Sequence, residues 1–530
     1  MTTTMDRLRP LLGFAGVIML AMANELNETV SDAALADVSG GLGFSHDPGT
    51  WYQSIYTAAE ICGMAFAPWC EETFSIYRFA MFVAALGIAP TVCIPFTHNL
   101  SLLYIERWLQ GLDTGFTVPC VMTIALRVLP PPIRLWGLAC YAMTATFYPN
   151  LNFAFAGLWT DLVGWQFVFF QCVPFDVIAA LLMWYGMPRD PLELDRFNNF
   201  NWAGVLLVLV GVSSGATVFE QGDRLDWFNS PLICVLSVLA VGALPLFIIN
   251  EIRHPSPLLD FRLMRRRNFA YGVVTLNLFV ILTECSTTVP ILYLDEVMGF
   301  RTEQSQLVVT EIACLQFIFL PAMALILNRS WVDARYLIGL GLGAIMAACI
   351  GESNLTVEWY RDQFYAWQAL QGMGEAMIVV SLVMMATNDL TPADGPFASG
   401  LINAPRATGA AIGGWLVDLV HRWRGSLHSN RLADQLGRER FRTYQATGVS
   451  WRHPAPLLPN GAPRAPGSVT AFREEFSKQV AVLTISDTFL VFAGVAGLMF
   501  VILLILPVRT YPPRIAIPRQ RLPRALKSGG

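Results

Sequence analysis

Along this chain the apolar residues do not alternate with polar ones; they gather into runs of about 18 to 25, each closed by a short polar break. A run of that length crosses ~30 Å of hydrocarbon at ~1.5 Å per residue. Inside a bilayer no water satisfies the main chain, so such runs have to be helical. The pattern predicts fourteen spans, at 11–36, 49–69, 74–96, 99–129, 132–160, 164–187, 200–221, 229–250, 268–294, 304–328, 334–352, 358–387, 396–422 and 484–507. Polar residues after Thr29 predict an early end to the first. The stretch from Arg422 to about Lys478 is too polar to span. It divides into an amphipathic helix around Leu432 to Tyr444 and a proline-rich piece from Pro454 to Pro466.

Arginine sets the orientation. With a cytoplasmic N-terminus, the short inward connections receive Arg127, Arg134, Arg189, Arg196, the Arg253–Arg267 group, Arg329 and Arg335, and the tail after Pro507 is basic as well. The short outward connections hold only Arg224, Arg301 and Arg361. This bias predicts cytoplasmic termini on both ends. Two inward connections fit poorly, an acidic one at Glu71 and Glu72 and one at Asp389 and Asp394 without a basic residue. The long segment escapes the rule, since loops near sixty residues translocate whatever their charge.

Composition agrees and narrows the class. A chain that is 54% hydrophobic and 14% charged, with a mean hydropathy of +0.49, is an all-α polytopic membrane protein and not a soluble domain. The net charge of -4 averages over two opposed faces and excludes little. The ten cysteines lie singly without a CxxC, and the six histidines sit in loops or at helix ends. A membrane-embedded enzyme would need a nucleophile or metal constellation such as H-E-x-x-H or G-x-S-x-G, and histidines so placed argue against one. An enzyme, a metal site, a cofactor and a nucleic-acid partner are therefore not expected. Arg7 and Arg9 precede an apolar stretch with no small-residue cleavage site, which predicts a retained first span.

Ionisable residues within the spans are the candidate chemistry, because each costs at least ~2.5 kcal/mol at the bilayer centre. Glu25, Glu28 and Asp32 are spaced to share one face of the first helix. Others are Glu60, Glu106, Arg107, Asp113, Glu284, Glu311, Glu375 and Arg406. Glu284 has Thr283, Ser286, Thr287 and Thr288 as neighbours, a polar stretch fit for a cavity wall. For each acid the alternative is a neutral, hydrogen-bonded packing residue, and for each arginine a structural ion pair. At ~1.5 Å per residue Glu28 lies ~25 Å up the first helix and Arg107 ~10 Å below the far surface, depths that permit contact.

A weak internal echo points to duplication: Trp108-Leu109-Gln110-Gly111 in the fourth span is answered by Leu370-Gln371-Gly372, after Trp367, in the twelfth. The expected division is an N-terminal six-helix bundle at 1–190, two inserted helices at 191–263, and a C-terminal six-helix bundle at 264–510 that includes an outward loop at 423–483. A basic cytoplasmic tail follows at 511–530.

Five motifs stand in order along the chain: Gly49-Thr50-Trp51, Arg107-Trp108-Leu109-Gln110-Gly111 with Pro131-Pro132 after it, Gln221-Gly222 with Leu225-Asp226-Trp227, Arg266-Arg267-Asn268-Phe269, and Asn403 with Arg406. In these the chain resembles the drug:proton antiporter-2 family of the major facilitator superfamily, the fourteen-helix EmrB/QacA-like transporters, and the EmrB branch in particular. Three motifs depart. The first-helix L-D-x-T reads Leu26-Asn27-Glu28-Thr29, and the loop after the second helix keeps only an acid, at Glu72. The fifth-helix antiporter motif has become Asn152 to Gly157, with Pro149 just before it.

The resemblance implies a major facilitator fold in the bacterial inner membrane and proton-coupled efflux of small hydrophobic or amphipathic toxic compounds. Its partners would be protons, membrane lipid, a periplasmic adaptor and an outer-membrane channel. It implies proton coupling by Glu28, Asp32, Arg107 and Asp113. It also implies a substrate cavity with Glu25, Asn27, Gln110, Glu284, Thr287, Glu375 and Arg406, and gating at Glu72, Pro149 and Gly157. The competing expectation is a transporter of one metabolite, an importer or an uncoupled facilitator.

Overall fold

The computed structural model describes residues 4–129, 131–329, 331–388, 390–391, 393–438, 466–505 and 507, and among these no strand occurs. The first group of helices is α1 (Thr4–Ala33), α2 (Leu35–Leu42), α3 (His46–Phe74), α4 (Ile76–Cys93), α5 (Leu100–Arg127), α6 (Pro131–Thr146), α7 (Asn152–Leu162), α8 (Phe167–Phe170) and α9 (Val173–Gly186). A hairpin of α10 (Trp202–Gln221) and α11 (Pro231–Arg253) follows. The second group is α12 (Arg267–Glu296), α13 (Thr302–Leu327), α14 (Ala334–Glu352), α15 (Arg361–Thr387), α16 (Gly395–Arg438) and α17 (Pro466–Ile505). Short connections make successive spans antiparallel, so α1, α5, α12 and α16 have defined ends at one of two faces. We call them the N-terminal face, where α1 begins, and the far face.

Eleven described spans are long and apolar enough to cross a bilayer by composition alone. The expected spans not among them are α3, α16 and the α6–α7 pair, which is broken. Segment 132–160, expected as one helix, is interrupted at residues 147–151. Pro149 lies in that break, where its missing N–H cannot continue a helical ladder. Asn150 instead donates its side-chain amide to the Thr146 carbonyl at 2.6 Å.

Close packing follows small residues. A Cβ on Gly115 would collide with the Glu60 carbonyl and one on Gly111 with the Tyr56 carbonyl, so α3 and α5 meet backbone to backbone. In the second group Gly341 of α14 and Gly374 of α15 face each other in the same way. This is the small-residue packing that lipid-embedded helices need in place of a hydrophobic driving force.

Two helices run past their expected ends. α16 continues beyond 422 to Arg438, and α17 begins at Pro466 rather than 484. Helical backbone is satisfied internally and can leave the bilayer, so polarity marks where the membrane ends, not where the helix does. The α16 extension is tied to α17 by Asp487, which accepts from Arg424 Nε at 2.5 Å and lies 2.6 Å from His428 Nε2. The remainder of the Leu432–Tyr444 helix, most of the proline-rich piece and the basic tail lie outside the described residues.

Candidate functional site

The acid face of α1 meets two arginines, one from each group of helices. Arg107 on α5 has no exposed surface. Its guanidinium donates to Asp32 Oδ1 at 3.0 Å and to Gln110 Oε1 at 3.3 Å. It also stacks between two rings of α3, 4.6 Å from the Tyr52 centroid and 4.1 Å from that of Tyr56. Tyr52 and Tyr56 are one turn apart and so flank the same spot; the Tyr56 hydroxyl is fixed by Thr114 at 2.6 Å. A cation so enclosed is stabilised by the ring faces as well as by the carboxylate.

Glu28 lies half-buried beside this pair, with Glu60, Glu25, Asp32 and Arg107 as its charged neighbours. Gln110 continues the network by donating to Thr91 Oγ1 at 2.9 Å, which Asn27 also reaches at 3.4 Å. Of the residues assigned to proton coupling, the structure brings Glu28, Asp32 and Arg107 together. Asp113 is apart: it is buried against Gly87 of α4, on whose Cα a Cβ would overlap its carboxylate, and its charged neighbour is Asp176.

The second arginine spans the two groups. Arg406 on α16 donates to Glu25 Oε1 at 2.9 Å and to Thr144 Oγ1 of α6 at 3.3 Å. One turn nearer the N-terminal face, Asn403 accepts from the Tyr141 hydroxyl at 2.6 Å, and Ser399 donates to the Pro119 carbonyl at 2.7 Å. Gly400 sits against Pro68 and Leu259. The first three turns of α16 thus close the N-terminal face against α1, α3, α5 and α6.

Toward the far face the wall is acidic. Glu220 of α10 has Asp32 and Asp418 among its charged neighbours, and Asp418 is a neighbour of Glu284 as well. Glu284 packs over Gly413 of α16 and accepts from Thr288 at 2.5 Å. Thr287 is half-buried and donates to the Thr283 carbonyl at 3.1 Å. At the rim, Arg422 of α16 grips Asp223 at 2.9 Å and Asp226 at 2.7 Å in the α10–α11 connection, while Arg224 in that connection reaches Asp47 at 3.1 Å. The Arg422 and Asn229 hydrogen bonds hold the Asp226 carboxyl below the usual range.

The remaining candidates are scattered. Glu375 is not at this wall but inside the second group, held by Ser286 and Gln316. Glu72 binds Arg127 at 3.1 Å and Arg196 at 3.0 Å on the N-terminal face. On the same face of the second group, Asp394 pairs with Arg266 at 3.0 Å. Partial burial pushes the Asp394 carboxyl up, but hydrogen bonds from the Thr391 N–H and hydroxyl and from Arg266 outweigh it and hold it low. Gly157 lines a crevice of about 530 Å³ shared by α7 with Gln306 of α13. Sequence reading missed Tyr52, Tyr56, Thr91, Glu220 and Asp418; the one-turn spacing of the two tyrosines was the available signal.

A helical bundle in two groups, joined by a buried ion pair and carrying ionisable residues into the interior, defines a membrane transporter. The chain belongs to the Major Facilitator Superfamily, whose sequence profile matches residues 17–414. It is 26% identical over 441 residues to the multidrug export protein EmrB of Escherichia coli K12, covering 82% of this chain and 85% of that one. It is 25% identical over 422 residues to the fatty acid resistance protein FarB of Neisseria gonorrhoeae, covering 78% and 80%. Among solved structures, the human organic anion transporter MFSD10 superposes with a TM-score of 0.57 at 13% identity, over 92% of this chain and 99% of that one. That likeness shows the fold.

Proposed function

We propose that this transporter exports small hydrophobic or amphipathic compounds, protonatable ones among them, in exchange for protons. The observation that carries this reading is the pairing of fully buried Arg107 with the partly exposed Asp32, with half-buried Glu28 beside it and an acidic wall toward the far face. Desolvation favours a proton on a carboxylate and a guanidinium disfavours it, so any motion of Arg107 relative to Glu28 and Asp32 changes proton affinity. Asn27 stands where the family carries an aspartate and cannot titrate, which leaves the adjacent acids to do so. Similarity to a multidrug export protein and to a fatty acid resistance protein supports efflux of toxic, largely apolar compounds. The same reading puts the chain in a bacterial inner membrane with cytoplasmic termini.

A growth screen of a deletion strain against varied inhibitors identifies a substrate, and inverted vesicles then test the mechanism. Accumulation should require a proton gradient and collapse with a protonophore. Glu28→Gln combined with Asp32→Asn should remove that accumulation while leaving binding of the same compound within a fewfold. Full gradient-driven transport by the double variant would move the proton site elsewhere. Accumulation without a gradient would favour the facilitator reading.

The extensions of α16 to Arg438 and of α17 from Pro466 lie on the far face, and we assign them, with the sequence between them, the docking of a periplasmic adaptor that leads to an outer-membrane channel. Deleting Leu432 to Pro466 is expected to abolish cross-linking to the adaptor with the transporter still inserted. Unchanged cross-linking and unchanged resistance would remove this role.

A further inference from the structure

Glu375 sits near the middle of α15, 14 residues or ~21 Å from its far-face end, and only 1% of its surface is exposed. Its partners are neutral. Ser286 Oγ of α12 lies 2.5 Å from Oε1, and Gln316 Nε2 of α13 lies 3.4 Å from Oε2. The titratable groups that share this interior are Cys285 on α12 and Cys349 and Glu352 on α14, none of them a cation. A carboxylate with no positive partner in such a place carries a desolvation cost that a bound proton removes.

The hydrogen count points the same way. Ser286 Oγ also lies 2.8 Å from the Thr283 carbonyl, which has no hydrogen to give. A hydroxyl owns one hydrogen. If it goes to the carbonyl, the hydrogen in the 2.5 Å contact comes from Glu375, which is then the neutral acid. Gln316 Nε2 has two hydrogens, and they suffice for the Gly372 carbonyl at 3.1 Å and for Glu375.

Buried polar groups continue from this acid toward the far face. Gln371 Nε2 donates to Glu352 Oε2 at 2.7 Å, where α14 ends. Along the way the amide of Gln368, wholly buried, has neither its nitrogen nor its oxygen hydrogen-bonded. One oxygen each of Gln316, Gln371 and Glu352 is likewise unpartnered. Such groups are rarely left orphaned without a role. Here they mark a polar thread through helices that are otherwise apolar.

We propose that Glu375 is a second proton-binding site, in the C-terminal group of helices, loaded from the far face along Glu352, Gln371 and Gln368. It is separate from the Glu28–Asp32–Arg107 site, and its part in transport rests on the proton-driven reading above. The chemistry is proton transfer alone: the carboxylate gains H⁺ to become the acid that donates to Ser286, and returns it on deprotonation.

The test uses the full-length protein in liposomes, with neither substrate nor gradient, so that it stands apart from any failure of efflux. The infrared difference spectrum taken across a pH titration should contain a protonated-carboxyl C=O band that Glu375→Gln lacks. Ser286→Ala should shift that band, because it removes the hydrogen-bond acceptor. Gln368→Leu should slow the band's response to a pH jump by tenfold or more while leaving its equilibrium position in place. A band that persists in Glu375→Gln overturns the assignment. So does a band in the wild type that does not change at any pH the protein tolerates, which would mark a permanently neutral packing residue. An unchanged pH-jump response in Gln368→Leu overturns the loading route.

Discussion

Arg107→Ala is expected to cut gradient-driven transport severely and to shift and flatten the pH dependence of what remains, with the protein still inserted in the membrane. The guanidinium is entirely enclosed and serves Asp32, Gln110 and two aromatic faces at once. Removing one member of a buried ion pair costs ~3–5 kcal/mol, chiefly because the other charge is stranded. Asp32 is 37% exposed and has a cheaper response than unfolding, which is to keep its proton. The coupling acid then stays largely neutral in both conformations, and the proton gradient drives the cycle only weakly.

Arg107→Lys separates charge from shape. An ammonium preserves the sign but cannot be planar between Tyr52 and Tyr56 while reaching Asp32 and Gln110. Losing the ring stacking is worth ~1–2 kcal/mol in a desolvated site, about a tenfold loss of rate. Transport by reconstituted liposomes at several pH values gives both numbers, and detergent melting curves report whether the fold survives. Wild-type pH dependence in Arg107→Ala would leave Arg107 a purely structural residue.

The helices were legible because a bilayer imposes a length on every apolar run and forbids any other backbone inside it. Their ends were less so, since α16 and α17 leave the membrane as helix while their side chains turn polar. The ionisable residues were legible one at a time, through the cost of burying each. Their pairing was not: Glu25 and Arg406 are 381 positions apart, and no local pattern links them. Some geometry was available and unused. Asp113 follows Arg107 by six residues, about 240° around a helix, so the two cannot face one spot on α1. Glu375 shows the converse error. Polar neighbours in sequence placed Ser286 with Glu284 at the cavity wall, yet Ser286 is fully buried and turns to Glu375.

The Glu25–Arg406 bridge carries the other large effect, because alternating access has to break it. It joins α1 to α16 at the level where the two groups meet, 2.9 Å between heavy atoms with both side chains under 10% exposed. Glu25→Gln leaves Arg406 with the Thr144 hydroxyl and the more distant Glu60. Arg406→Met leaves Glu25 and Glu60 facing each other without a cation. Each single change should cost ~3–5 kcal/mol in the conformation closed at the N-terminal face. A shift of even ~3 kcal/mol changes a two-state equilibrium by more than a hundredfold. Cysteines placed along the first turns of α16, at Ser399 or Ala407, should therefore become far more reactive from the N-terminal face in either single variant. Glu25→Met combined with Arg406→Met replaces the pair by apolar side chains of similar length and should recover most of the lost melting temperature, since a buried pair is worth little more than its hydrophobic equivalent. It should not recover transport, because the closed state would then be held by packing that has no charge to exchange. Additive losses across the cycle, or unchanged cysteine reactivity in the single variants, would show that Glu25 and Arg406 act independently and that the closure is set by the Ser399–Pro119 and Asn403–Tyr141 contacts instead.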